Sequence, residues 1–314
     1  MKIAVIGGLG QVGSAIALEY LQQGHEVDIC DPGYYDYDHK YAFDKLKGWT
    51  HSNHPIAYDQ EQSYDFIIVA CFDYNIVELY SEGVWYTIDK LMTFDERHIL
   101  ISDWRCSLDS ESRLAKLEQS ILKENGKVIR FGDVFGGWTR IRFDTLINRL
   151  IFELWAKQQY IASDDCCHWL PYTCIISIGR KVREIIELNR EKYFVEEIYD
   201  GVERFVEIVL RVRKLFEQKY EYDTFNITGS DVPSPLKGWS VSNSNYTELP
   251  WTSYIPTAQG KKDIVIAQAM EMMEMFDQHP DKSEFMRIEG YPTIMMEQQQ
   301  SAEARIKKFG TILI

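Results

Sequence analysis

No apolar run in this 314-residue chain approaches the ~20 residues that a membrane-spanning helix needs. Its six cysteines are too thinly spread to suggest a disulfide scaffold. Positive charge is also scarce: 34 Lys and Arg stand against 48 Asp and Glu, a formal net charge of −14. A field of that sign repels phosphate backbones at long range, so general nucleic-acid binding is disfavoured without a local basic patch. A small anion held by backbone amides is not excluded. No internal repeat or long low-complexity tract is visible. The sequence opens straight into MKIAVIGG, which leaves no room for an export signal. A cytoplasmic chain with reduced thiols is therefore expected, one in which the sequons at Asn226 and Asn245 mean nothing. What is present is ordinary for a globular protein, 45% hydrophobic and 26% charged. The length fits one large domain or two closely joined ones.

Residues 2–7 form a short apolar run ending in glycines, the pattern of a buried strand. Val12, Ala15, Ile16, Leu18, Tyr20 and Leu21 recur at helical spacing over 11–23, and Gly24 supplies a C-terminal stop. Val27, Ile29 and Cys30 then lead to Asp31, giving a β-α-β unit whose strands must be parallel. The stretch 32–64 is polar and weakly periodic, apart from a short strand near Ile56–Tyr58. Strands are predicted again at 65–71, 98–102 and 127–131, with helices over 75–92 and 110–124 between them. Helices follow over 143–157, 173–190, 200–219 and 261–277, with a late strand at 225–228. Strands alternating with helices argue for an α/β fold built on a doubly wound parallel sheet. Loops are expected over 229–259, which hold four of the nine prolines.

The strongest chemical signal is Gly7-Gly8-Leu9-Gly10-Gln11-Val12-Gly13, placed between a strand and a helix. Gly7 permits the tight turn, Gly10 lets a pyrophosphate approach the backbone, and Gly13 lets the helix pack on the strand. The amides of the first helical turn then face the phosphates. Asp31, 18 residues beyond Gly13, can accept hydrogen bonds from an adenosine ribose diol, and its charge opposes a 2′-phosphate. That favours NAD over NADP. The loop satisfies both G-x-G-x-x-G, the general dinucleotide form, and G-x-x-G-x-x-G, so the loop alone does not choose between families.

The middle of the chain supplies further pieces. Asp65–Ala70 resembles the D-x-V-x-x-x-A fourth strand of the extended short-chain dehydrogenases, the nucleotide-sugar epimerases and dehydratases. Arg130-Phe-Gly-Asp-Val-Phe-Gly136 is similar to their R-x-x-N-V-Y-G, and Arg142-Phe-Asp144-Thr-Leu-Ile-Asn148 to their R-x-D-x-x-x-N. Trp169-Leu-Pro171-Tyr172 resembles their W-R-P-x-x-x-V, with leucine for the arginine. These pieces span residues 2–190, with an echo at Phe225–Gly229. The resemblance implies a Rossmann-type fold with a smaller mixed C-terminal substrate domain. It puts the NAD-binding domain at 1–165, with 173–228 returning to it, and the substrate domain at 229–314. The implied cofactor contacts are Gly7, Leu9, Gly10, Gln11, Val12, Gly13, Asp31, Ala70, Cys71 and Lys116. The implied cleft for a nucleotide-sugar or similar polar small molecule holds Phe135, Gly136, Asn148 and Trp169. A homodimer through helices 75–92 and 110–124 is implied as well.

The departures concern catalysis. The family's Tyr-x-x-x-Lys aligns with Ser112 and Lys116, so the lysine is kept and the phenol is not. A serine hydroxyl is a far weaker acid than a phenol of pKa about 10. Either a tyrosine from the 34–41 loop or Tyr172 takes its place, or Ser107, Cys106 or Asp103 near the shortened loop carries other chemistry, or catalysis is lost and ligand binding kept. A dehydrogenase of another glycine-loop family is a further alternative. Tyr41/Lys45 and Tyr86/Lys90 match the motif only by chance, among 19 tyrosines. Cys166-Cys167-His168 has no second Cys/His pair at zinc spacing. His51 and His54, at i, i+3, would share a metal only on a helix, and their loop carries little helical pattern, so they read as solvated loop histidines. Met270, Met272, Met273 and Met275 read as packing. Lys181, Arg183, Arg190, Arg204, Arg211, Arg213 and Lys214 alternate with glutamates as a solvated surface does. One of these arginines could still hold a diphosphate by its planar fork.

Overall fold

The computed structural model describes residues 1–8, 10–30, 63–71, 93–137, 145–157, 159–162, 169–188, 194–220, 226–229 and 263–277. Strand β1 (Lys2–Ile6) pairs in parallel with β2 (Glu26–Cys30) on one side and β3 (Phe66–Val69) on the other. Beyond β3 come β4 (His98–Asp103), β5 (Lys127–Phe131) and β9 (Val195–Ile198), all parallel, in the order β2-β1-β3-β4-β5-β9. Chain order reverses at β1 and β3, which makes their carboxyl ends the switch point where such sheets hold ligands.

The central strands are apolar on both faces, as a sheet covered on both sides requires. Ile3, Val5, Ile68, Ile99, Ile101 and Ile129 point to one core, closed by α1 (Gln11–Gln22) and α4 (Ile175–Leu188). Ala4, Ile6, Ile67, Val69, Leu100 and Val128 point to the other, closed by α2 (Arg113–Lys123) through Leu114, Leu117 and Ile121. These three residues are buried within one chain, so the outward face of α2 carries Lys116, Gln119 and Lys123 instead. Helices α1 and α4 approach closely because Gly179 has no side chain: a Cβ there would lie 2.5 Å from the Ala15 carbonyl oxygen. An Arg183–Glu19 ion pair at 2.8 Å flanks the contact.

A second body stands beside the sheet. Strands β6 (Asp133–Phe135), β8 (Trp169–Cys174) and β10 (Gly201–Arg204) form one small mixed sheet, and β7 (Gln159–Ala162) pairs with β11 (Asn226–Gly229). Their core joins α3 (Leu146–Lys157), α5 (Phe205–Tyr220) and α6 (Ile264–Asp277). Met272 and Met273 are wholly buried there, whereas Met270 is exposed. The helices expected at 173–190 and 200–219 begin later, at Ile175 and Phe205, because each is preceded by a strand. The antiparallel pairing of β10 with β8 wins over helical periodicity at 201–204, where Gly201 packs directly on the Tyr172 ring. The expected elements near 56–58 and 75–92 lie outside the described residues.

Candidate functional site at the carboxyl ends of the sheet

The glycine loop joins β1 to α1 at the switch point. Gly7 has φ of +78° and lies against the Ala70 and Cys71 backbone, where a Cβ would approach to 2.8 Å. Its amide donates to the Cys30 carbonyl at 2.8 Å, tying the loop to the end of β2. A side chain on Gly13 would collide with the Gly7 carbonyl oxygen, and one on Gly8 would meet Ile29 at 2.8 Å. Helix α1 has Gly10 as its N-cap, with no side-chain cap and no acid in its first turn. The positive end of the helix is therefore left for an anion. Ala70 and Cys71 line the end of β3 beside the loop, partly exposed. These residues fit a dinucleotide diphosphate. Leu9 and Asp31 lie outside the described residues.

Further along the sheet, β4 ends in Ser102 and Asp103 and turns at once into a 3-10 helix, Trp104–Ser107. Ser102 points inward and donates to Glu118 at 2.6 Å. Glu118 also receives Arg130 (2.6 Å), which reaches Glu197 at 3.0 Å. The two carboxylates raise the pKa of Arg130 against the opposing effect of its burial. Asp103 accepts from the Arg105 amide and guanidinium, each at 2.8 Å. Ser107 donates to the Trp104 carbonyl at 2.7 Å. Burial, with Glu118 and Asp103 nearby, pushes the Cys106 thiol up to about 12, so it is no thiolate nucleophile at neutral pH.

Ser112 is the N-cap of α2: its hydroxyl accepts from the Ala115 amide at 3.2 Å and donates to the Asp109 carbonyl at 2.9 Å. Lys116 sits on the outward face with its side chain 55% exposed, 3.6 Å from Glu111. The structure thus gives Ser112 a cap and Lys116 a surface pair, rather than joining them in one acid–base couple. The acid that stands out is Asp133, at the start of β6. It accepts from the Leu146 and Ile147 amides, both at 3.3 Å, at the first turn of α3. Burial pushes its pKa up to about 7; Asp103 adds to the rise, and the two amides and Arg105 oppose it. The sequence placed Asp133 inside a quoted motif, but nothing in the pattern signalled a carboxyl that titrates near neutrality.

Phe135 is fully buried, edge-on to Tyr172. Gly136, with φ of +104°, donates its amide to Asn148 Oδ1 at 2.8 Å. Asn148 is itself fully buried, so it positions the Gly136 turn. The Tyr172 hydroxyl donates to Glu203; burial and this glutamate both push the phenol above its ordinary pKa, which removes Tyr172 as a ready proton donor. Trp169 is partly exposed and carries the Arg204 guanidinium 5.7 Å from its ring centroid. Arg183, Arg211 and Arg213 hold glutamates. Arg204 has no carboxylate partner among the described residues, which leaves its fork available. No group of three or more His, Cys, Asp or Glu is placed to hold a metal among the described residues. Cys166, Cys167, His168, His51 and His54 lie outside them. No described helix is long and apolar enough to cross a membrane.

No family model and no curated protein matches the sequence. Solved structures do match its fold. One is a novel NAD-dependent NDP-hexosamine 5,6-dehydratase, TunA, of tunicamycin biosynthesis, with TM-score 0.62 at 14% identity; the match covers 90% of this chain and 99% of that one. Another is UDP-glucuronic acid 4-epimerase from Bacillus cereus with UDP-glucuronic acid and NAD, with TM-score 0.60 at 15% identity, covering 88% and 99%. A third is dTDP-glucose 4,6-dehydratase from Bacillus anthracis with NAD, with TM-score 0.53 at 12% identity, covering 88% and 98%. The chain shares the Rossmann-type fold of these solved structures over nearly their whole length.

Proposed function

We propose that the protein binds NAD at Gly7–Gly13 and a nucleotide-diphosphate sugar across the second body, and acts as a nucleotide-sugar-modifying enzyme of the epimerase, dehydratase or reductase type. The observation that carries the reading is the glycine loop, whose close packing excludes side chains and leaves the α1 terminus without a cap. Asp31, next in sequence after β2, supports NAD over NADP by its charge. Arg204 stacked on Trp169 offers a fork for the sugar nucleotide's diphosphate. Bound NAD supplies a hydride acceptor and donor at its nicotinamide ring. Of the residues at the sheet ends, Asp133 has the pKa best suited to holding or moving a proton near pH 7. A homodimer through 75–92 and 110–124 belongs to the same reading and is tested by sedimentation velocity.

A second reading, a binding protein without turnover, is favoured by one observation: the Ser112 hydroxyl is committed to the α2 cap. Titration calorimetry with NAD(H) and NADP(H) tests the shared part, and absence of binding to either ends both readings. Turnover with UDP-, GDP- and dTDP-sugars separates them. Lys116→Ala abolishes that turnover if the lysine orients the nicotinamide ribose; an unchanged rate removes it from the site. Arg204→Ala weakens UDP-sugar binding without changing NAD affinity, and equal loss of both contradicts its assignment.

A further inference from the structure

Two glutamines from distant parts of the chain meet at Gly136. Gln11 opens α1 directly behind the glycine loop, and its Nε2 donates to the Gly136 carbonyl at 3.2 Å. Gln268 comes from α6, and its Nε2 donates to Glu271 at 2.8 Å. Its amide oxygen lies over the Gly136 Cα, so close that a Cβ there would meet it at 2.5 Å. Both residues are deeply buried, 2% and 5% exposed, and in each the Oε1 acceptor has no hydrogen-bond partner. A buried acceptor left without a donor carries the full penalty of its lost hydration. Two of them at one glycine indicate a missing group that brings N–H or O–H donors.

The position says which group. A dinucleotide at a switch point straddles the first helix terminus, with its adenosine toward the strand after that helix. Here that strand is β2, so the other half extends over β3, β4 and β5. Gly136 follows β5 by way of β6 and touches Gln11, so the two orphan oxygens belong to the nicotinamide side. We propose that Gln11 and Gln268 are the carboxamide receptor of the cofactor site, their side-chain oxygens accepting the amide hydrogens of the nicotinamide. The far end of the Gln268 side chain covers the Gly136 turn, held there by its bond to Glu271. The proposal rests on the NAD reading above. It makes α6, remote in sequence, a determinant of how the ring is held.

The test uses the full chain and titration calorimetry with three probes: NAD, ADP-ribose, and the 3-acetylpyridine analogue of NAD, which lacks the amide hydrogens. The wild-type protein is expected to bind NAD about tenfold more tightly than the analogue, as two modest hydrogen bonds provide. Gln11→Met and Gln268→Met are expected to abolish that preference and to leave ADP-ribose affinity within about twofold. Equal weakening of ADP-ribose would mean that the glutamines only brace the loop, and overturns the proposal. A preference that survives both substitutions overturns it too, as does equal wild-type affinity for NAD and the analogue. The wild-type comparison stands even if a variant fails to fold. Failure of the wild type to bind ADP-ribose and NAD alike removes the NAD reading itself, whereas ADP-ribose binding with no carboxamide preference removes only this inference.

Discussion

Replacing Asp133 by asparagine is expected to raise the stability of the variant relative to the wild type steadily as pH climbs from 4 to 7. The carboxyl is held by the Leu146 and Ile147 amides, and its pKa is pushed by burial from an ordinary 3.8 up to about 7. An acid whose pKa is raised in the folded state keeps its proton there after the unfolded chain has lost it. The unfolded state therefore binds fewer protons between about pH 4 and 7, and stability falls as pH rises through that window. Above about 7 both states are ionised and the loss levels off. At ~1.4 kcal/mol for each tenfold change, the difference sets a ceiling near ~4 kcal/mol. Because Asp133 is partly exposed, solvent screening reduces this, and about 2 kcal/mol is the working figure.

Leu146 donates to Oδ1 and Ile147 to Oδ2, so asparagine keeps an acceptor for one amide and turns an NH2 toward the other. That cost is the same at every pH, whereas the pH-dependent loss disappears with the charge. Urea unfolding of wild type and Asp133→Asn at pH 4, 5, 6, 7 and 8 reads the effect directly. The variant's advantage should grow with pH and then plateau between 7 and 8. An advantage that stays constant with pH, or one that shrinks as pH rises, would refute the claim that this carboxyl titrates near neutrality. The same result would take away its fitness for proton transfer.

Ser112→Ala removes the α2 cap and its bond to Asp109, and should cost about 1 kcal/mol by urea unfolding; no loss would free the serine for another role. Arg130→Met leaves Glu118 and Glu197 facing one another without their shared cation, and should destabilise by about 3–5 kcal/mol. A change below about 1 kcal/mol would mean that the network is solvated rather than buried. Gly13→Ala drives a methyl into the Gly7 carbonyl and should weaken NAD binding by about tenfold or more in calorimetry, with retained far-UV circular dichroism. Unchanged affinity would deny the loop its role.

The parts of the fold that were legible in the sequence are those where local pattern and tertiary demand agree. The run Ile3-Ala-Val-Ile6 alternates between two cores that are both apolar, and Gly24 takes φ of +79° where a helix stop needs it. The strands that escaped notice are those whose partners are remote. Val195–Ile198 has the sequence VEEI, half charged, and is a strand only because β5 offers an edge. Gly201–Arg204 carries helix-compatible residues that β8 pulls into a sheet. At the site, the glycine loop was readable because steric rules tie each glycine to its place. The Gln11–Gln268 meeting was not, since 257 positions separate them and no spacing rule connects α1 with α6.

The short connection after β4 explains why the acid–base machinery looks depleted. Only Trp104–Ser112 separate the strand from α2, so the helix has to begin at Arg113 with Ser112 as its cap. A residue held as an N-cap directs its side chain at the backbone amides of its own first turn, not across a cleft. A tyrosine at 112 would forfeit that cap, because its ring carries the hydroxyl beyond those amides. Position 112 is thereby fixed by helix initiation rather than by chemistry, and Lys116, one turn on, follows it to the outer face. Under the proposed enzymatic reading, proton transfer at the sheet ends would fall to groups on the strands themselves. Asp103 is clasped by Arg105, while burial lifts the Asp133 carboxyl to about 7, where its protonation can change near neutral pH.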